Sequence, residues 1–114
     1  MAHEVQDFYK DFARSIQGLS KESPDMVKAF KSLHDQAMKQ GILGTKEKEF
    51  IALGIAVAGH CVPCIRLHTR AAVGAGASRA EILEAASVAL LMGGGPAYTH
   101  IPVVTETLDA MGIE

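Results

Sequence analysis

The stretch Thr45-Lys46-Glu47-Lys48-Glu49-Phe50-Ile51-Ala52-Leu53-Gly54-Ile55-Ala56-Val57-Ala58 decides the fold. Thr45 can cap a helix running from Lys46 to about Ala58. From Ile51 onward that helix is apolar all round, so it has to be buried on most sides. The flanking segments are helical too. Upstream, Val5, Phe8, Phe12 and Ile16 recur at helical spacing between about Glu4 and Gln17, and Gly18-Leu19-Ser20 is expected to end that segment. Ser23 as N-cap, Pro24 at the first helical position and Asp25 in the first turn open a second helix. Its apolar stripe is Met26, Phe30, Leu33, Ala37 and Met38, and Gly41 is its stop.

Downstream, a fourth helix is expected to carry Cys64 to Val73 and close at Gly74 or Gly76. Ser78-Arg79-Ala80-Glu81 is a capping box opening a fifth, through Ile82, Leu83, Ala86, Leu90 and Met92. Gly93-Gly94-Gly95-Pro96 breaks the chain, and a last helix continues to about Met111, with Pro102 near its start or kinking it. No hairpin signal, repeat, linker or low-complexity segment interrupts this pattern. The sequence therefore predicts one all-α domain of about six helices over residues 1–114. So much apolar helix surface in so short a chain predicts a homo-oligomer.

Composition narrows the function. Of 114 residues, 48% are apolar and 21% charged, which excludes a disordered chain. Eleven Lys and Arg against thirteen Asp and Glu leave a formal charge of −2, without the basic excess of a nucleic-acid binder. The charges are too mixed for a polybasic membrane patch. The longest strongly apolar stretch, Phe50 to Gly59, falls short of the roughly 20 residues a bilayer requires. The acidic N-terminus does not read as a secretory signal, so a cytoplasmic location is expected. In that reducing compartment a purely structural disulfide is improbable.

The two cysteines fall in Cys61-Val62-Pro63-Cys64-Ile65-Arg66-Leu67-His68. Such a pair reads as a redox dithiol, a zinc half-site or two small buried hydrophobes. Its place after Gly59, at a helix start, favours a thiolate and hence the redox reading. His68 follows Cys64 by four residues, one turn along the same face, within reach of a proton exchange. A disulfide needs Cβ atoms about 3.8 Å apart, closer than the about 5–6 Å of positions three apart in a helix. Cys61 must then lie at or before the first turn. The zinc reading would use Cys61, Cys64 and His68 with His60 or His100, a set that follows no familiar zinc spacing. Arg66 and Arg70 read as a solvated or inter-subunit salt-bridging face, and Met26, Met38, Met92 and Met111 as core or interface filler.

The stretch resembles the carboxymuconolactone decarboxylase-like, AhpD-type alkylhydroperoxidase family. Its redox branch carries a Glu, eleven residues, then Cys-x-x-Cys-x-x-x-His, a pattern that falls here on Glu49, Cys61, Cys64 and His68. The likeness covers roughly residues 23 to 111 and includes the helix, glycine and capping box that follow. It implies an all-α fold assembled as trimers or hexamers. It also implies a cytoplasmic thiol peroxidase, or disulfide oxidoreductase, that reduces hydroperoxides and is re-reduced by a dithiol or lipoyl-type carrier protein, with no cofactor. By the same resemblance Glu49 and His68 form a proton relay to Cys64, whose thiolate attacks the peroxide, while Cys61 resolves the sulfenic acid and accepts the reductant. Helical periodicity alone does not choose between Glu47 and Glu49; the family spacing does. The namesake branch, lactone decarboxylases, has no need of a redox dithiol. Where the AhpD enzyme has a histidine directly before its second cysteine, this chain has Pro63, and His60 reads as an exposed loop residue.

Overall fold

A computed structural model describes residues 2–114. The described residues form α1 (Ala2–Glu22), α2 (Pro24–Met38), α3 (Thr45–Ala58), α4 (Val62–Gly74), α5 (Arg79–Ser87), α6 (Ala89–Tyr98) and α7 (Ile101–Ala110), with no strand among them. Helix α3 is central, but Ile51 and Ile55 stay 52% and 68% exposed, so it is not buried on most sides as its apolar second half predicts. It packs on α4, α5 and α6, while α7 closes over α4. Leu53 and Val57 of α3 meet Ile65, Ile82, Val104 and Leu108 in a core without solvent access. Each such aliphatic side chain contributes about 1.5–3 kcal/mol by leaving water.

The caps show what starts each helix. Ser78 and Glu81 make the expected reciprocal pair: Ser78 Oγ accepts from the Glu81 N–H, and Glu81 Oε1 from the Ser78 N–H. The Ser78 N–H and the Lys46 ammonium hold the Glu81 carboxyl below its ordinary range. That ammonium, 3.1 Å away, also ties α3 to α5. At α3 the expected Thr45 cap is displaced by one residue. Gly44 is the N-cap, its N–H donating to Glu47, and the Thr45 hydroxyl turns back to the Met38 carbonyl. Ser23 precedes α2 as expected but makes no side-chain cap bond.

Three boundaries differ from the sequence expectation, and seven helices replace about six. Helix α1 runs through Gly18 to Glu22, with the Ser23 N–H still bonded to the Leu19 carbonyl at 2.7 Å. An isolated helical glycine costs only about 1 kcal/mol, too little to end a long amphipathic helix. The expected fifth helix divides at Val88, whose N–H turns to Ala85 three residues back while its dihedrals stay helical. The glycine run interrupts the helix as expected: Gly94, at φ 61° and ψ −147°, adopts a non-helical conformation essentially closed to other residues, and helical backbone resumes to Tyr98. A second break comes at Thr99 and His100, because Pro102 lacks the N–H needed to continue the ladder and suits the first turn of α7 instead.

Helix α1 is fastened to α4 by aromatic rings. Phe8 lies under the Arg66 guanidinium and Tyr9 under that of Arg70, and the Tyr9 hydroxyl donates to the Arg66 carbonyl. The two arginines therefore cap aromatic faces; Arg70 is exposed, in line with the expected solvated face, and Arg66 is half-buried. Burial raises the Tyr9 phenol above its ordinary value, against the opposing charges of Arg70 and Arg66.

Helix α2 buries no residue; Phe30 is 67% exposed, with Met26 and Leu33 beside it. Ile51, Ile55, Val88, Leu91 and Met92 form a second exposed apolar area on α3, the α5–α6 junction and α6. The accessible surface is 7148 Å², against about 6,000 Å² for a compact monomer of this length. The radius of gyration is 14.4 Å, against about 13 Å.

Gly93 sits where a side chain would not fit. A Cβ there would lie 2.7 Å from the Cβ of Ala97, beyond the Gly94 kink in α6, and 3.4 Å from the Ala58 Cα of α3. At an open helical site Gly→Ala gains about 1 kcal/mol, but overpacking a dry contact costs about 1–3 kcal/mol. Gly93→Ala is expected to lower Tm by several degrees; an unchanged or higher Tm in thermal unfolding would refute this contact.

Candidate active site

The site is built where α3 hands over to α4. The Cys61 N–H bonds to the Ala56 carbonyl at 3.1 Å and the His60 N–H to that of Val57 at 3.2 Å, which reverses the chain in a few residues. Cys61 becomes the N-cap of α4 in extended conformation, and Pro63 follows in the first turn. The Cys61 position satisfies the geometric condition set by the sequence. With the first cysteine just outside the helix and the second within its first turn, the Cα atoms lie 5.2 Å apart and the two sulfurs are bonded. The Cys64 N–H donates to Cys61 Sγ at 3.3 Å, so a free amide of the helix start already points at the first sulfur. Both cysteines are half-buried and Pro63 is exposed.

Glu49 rises from the first half of α3 into the interior, one turn before Leu53. It is 5% exposed, and its Oε1 lies 2.7 Å from Nδ1 of His68, which is 25% exposed. The choice between the two glutamates is thereby made by the structure: Glu47 caps its own helix at the surface and Glu49 is buried. With the carboxylate accepting Nδ1–H, Nε2 of His68 is left to take or give a proton. The Cys61–Cys64 pair thus opens α4, and Glu49 on α3 meets His68 one turn along it from Cys64, so both pairs lie along the α3–α4 seam. A disulfide at a helix start, followed one turn later by an imidazole anchored on a buried carboxylate, is equipped for thiol–disulfide exchange and proton transfer.

Beside the seam, His60 and His100 stack with ring centroids 5.1 Å apart, and His100 Nδ1 lies 2.7 Å from the Pro96 carbonyl. Forty residues separate these histidines, and no local pattern could announce their pairing. Tyr9 was equally silent, although two arginines one turn apart on α4 hinted at an aromatic partner. Among the described residues no three His, Cys, Asp or Glu side chains converge as metal ligands. No helix of the described residues is long and apolar enough to cross a membrane. An open apolar cleft of about 660 Å³, lined by Phe50, Ile51, Ile55, Ala58, Val88 and Met92, borders Gly59 and so ends two residues from Cys61.

Comparison with known proteins agrees with this all-helical fold. Residues 24–105 match the Carboxymuconolactone decarboxylase family. A carboxymuconolactone decarboxylase family protein of Legionella pneumophila shares the fold with a TM-score of 0.84 and 36% identity, over 96% of this chain and 95% of that one. A Thermotoga maritima member, described as a candidate for the antioxidative response, matches with a TM-score of 0.82 and 28% identity over 93% of this chain and 90% of that one. An uncharacterised protein of Cupriavidus necator is 27% identical over 97% of this chain and 98% of its own length.

The bonded sulfurs make a direct prediction. A thiol-alkylating reagent is expected to label neither cysteine of air-oxidised, denatured protein and both after treatment with a dithiol. Labelling of both before reduction would refute the bond.

Proposed function

Because this chain belongs to the carboxymuconolactone decarboxylase family, we propose that it is a dithiol redox member: a thiol peroxidase, or disulfide oxidoreductase, turned over by a dithiol carrier. The observation that carries this reading is the 2.7 Å Glu49–His68 contact on the helix that begins at the Cys61–Cys64 pair. The namesake lactone chemistry has no use for two cysteines so placed.

In the reduced protein, His68 takes the Cys64 thiol proton through Nε2, while Glu49 orients the ring and stabilises the imidazolium. The Cys64 thiolate attacks the outer oxygen of a hydroperoxide and breaks the O–O bond. The alcohol leaves with the proton from His68, and Cys64 remains as a sulfenic acid. Cys61 condenses with it, forming the disulfide and releasing water. A dithiol such as a lipoyl-type carrier then attacks Cys61 and returns both thiols, becoming a disulfide itself. The apolar cleft beside Gly59 suits the hydrocarbon part of an organic hydroperoxide. Such a cycle belongs in the cytoplasm, where dithiol carriers stay reduced.

The active form in this reading is a homo-oligomer, a trimer or hexamer. Its support is the excess of roughly 1,000 Å² over a compact monomer, close to the about 800 Å² each partner loses in a standard interface. The exposed faces of α2 and of the cleft are apolar in the way such an interface demands.

Consumption of an organic hydroperoxide with dihydrolipoamide as reductant tests the chemistry. Cys64→Ser is expected to abolish it, His68→Gln to slow it about 10²–10⁴-fold, and Glu49→Gln about 10–100-fold. Both thiols surviving one equivalent of hydroperoxide would overturn the reading. Light scattering tests the assembly: Phe30→Asp with Leu33→Asp is expected to dissociate an oligomer to monomers, and a monomeric wild-type chain would refute it.

A further inference from the structure

Three helices of this chain end in the same hydrogen-bonded reversal. After α4 the Ala77 N–H reaches the Ala72 carbonyl and the Gly76 N–H that of Val73; after α7 the Ile113 N–H reaches Leu108 and the Gly112 N–H reaches Asp109. After α3 the Cys61 N–H reaches Ala56 and the His60 N–H reaches Val57. This motif needs a left-handed residue at its penultimate position. Gly76 and Gly112 supply it at φ 94° and φ 71°, whereas the third site holds His60 at φ 57°, the one non-glycine residue with positive φ among those described. A side chain there strains the backbone, and glycine would relieve it.

The strained imidazole is also held in place. Its ring stacks on His100, with planes 22° apart, and the His100 ring is itself fixed by donating Nδ1–H to the Pro96 carbonyl. It is attached to the residue directly before Cys61, the half-buried N-cap sulfur. On the other side of the pair, His68, in contact with Glu49, follows Cys64 by one helical turn and serves it in the reading above.

We infer that His60 is the acid–base partner of Cys61, positioned by His100, so that each sulfur of the pair has its own imidazole. The inference rests on the redox reading above and assigns the proton the Glu49–His68 relay leaves unaccounted for. When Cys61 attacks the Cys64 sulfenic acid, His60 takes the Cys61 thiol proton as the S–S bond forms and the S–O bond breaks, and that proton passes to the departing hydroxide, which leaves as water. When a dithiol carrier has formed a mixed disulfide with Cys61, His60 takes the proton of the carrier's second thiol, whose thiolate displaces Cys61, and returns that proton to the leaving sulfur. No electron donor beyond the dithiol is required.

The strain makes the test clean, since a purely structural histidine and an acid–base one predict opposite results. In the reduced full-length chain carrying Cys64→Ser, the rate of Cys61 alkylation by iodoacetamide at neutral pH is compared with and without His60→Gly or His60→Asn. Glycine and asparagine both accept the left-handed conformation, and neither carries an imidazole. Both variants are expected to fold, with Tm raised by glycine, and to react roughly tenfold more slowly, with imidazole in the buffer restoring rate to the glycine variant. Unchanged rates in both variants, or a slowed rate that added imidazole does not restore, would overturn the inference. Peroxide-driven loss of both thiols in the wild-type chain is read separately. Its absence removes the redox reading, whereas its presence with unchanged alkylation removes the role of His60 alone.

Discussion

A carboxylate withdrawn from water must find a partner, and much of this structure follows from where Glu49 finds one. An unpaired charge at that depth would be strongly destabilising. Its contact with His68 therefore fixes how α4 lies against α3, and with it the place where the chain must turn between them. The turn leaves Cys61 outside α4 and Cys64 inside its first turn, the offset that lets two sulfurs three residues apart meet. The Glu49–His68 contact and the sulfur pair are thus consequences of one helix–helix arrangement. The apolar half of α3 holds that arrangement by packing Leu53 and Val57 against Ile65 and the later helices.

The sequence carried the helices wherever local chemistry decides them. The Ser78–Glu81 box, Pro24 and the apolar run of α3 all read through to the structure, because caps and burial act within a turn or two. Reading failed where two local rules competed. Gly18 reads as a stop, yet the amphipathic face of α1 outweighs it. Gly93-Gly94-Gly95-Pro96 reads as the one break before the last helix; Gly94 does leave the helical region there, but Pro102 imposes a second break.

The site was legible to different depths. Cys61, Cys64 and His68 sit close enough in sequence for helical geometry to relate them, whereas Glu49 lies nineteen residues from His68 and could be preferred over Glu47 only by family spacing. Burial separates the two acids at once, because Glu47 spends its carboxylate on its own N-cap. The stacking of Arg66 and Arg70 was not legible because their partners, Phe8 and Tyr9, lie more than fifty residues earlier. Long-range pairs between short helices leave no periodic trace.

The Tyr9 hydroxyl grips the backbone of the helix that carries Cys64 and His68. The chain has no tryptophan and two tyrosines, and the other, Tyr98, is 68% exposed. The tyrosine dichroism of this protein therefore comes mainly from one seam, because an exposed ring lacks a fixed asymmetric surround. A near-ultraviolet dichroism trace follows the docking of α1 on α4, and falls away when that seam opens whether or not the α3 core is intact. A melting curve recorded that way measures the undocking of the N-terminal helix, and must be set beside a backbone signal before it is called the stability of the fold.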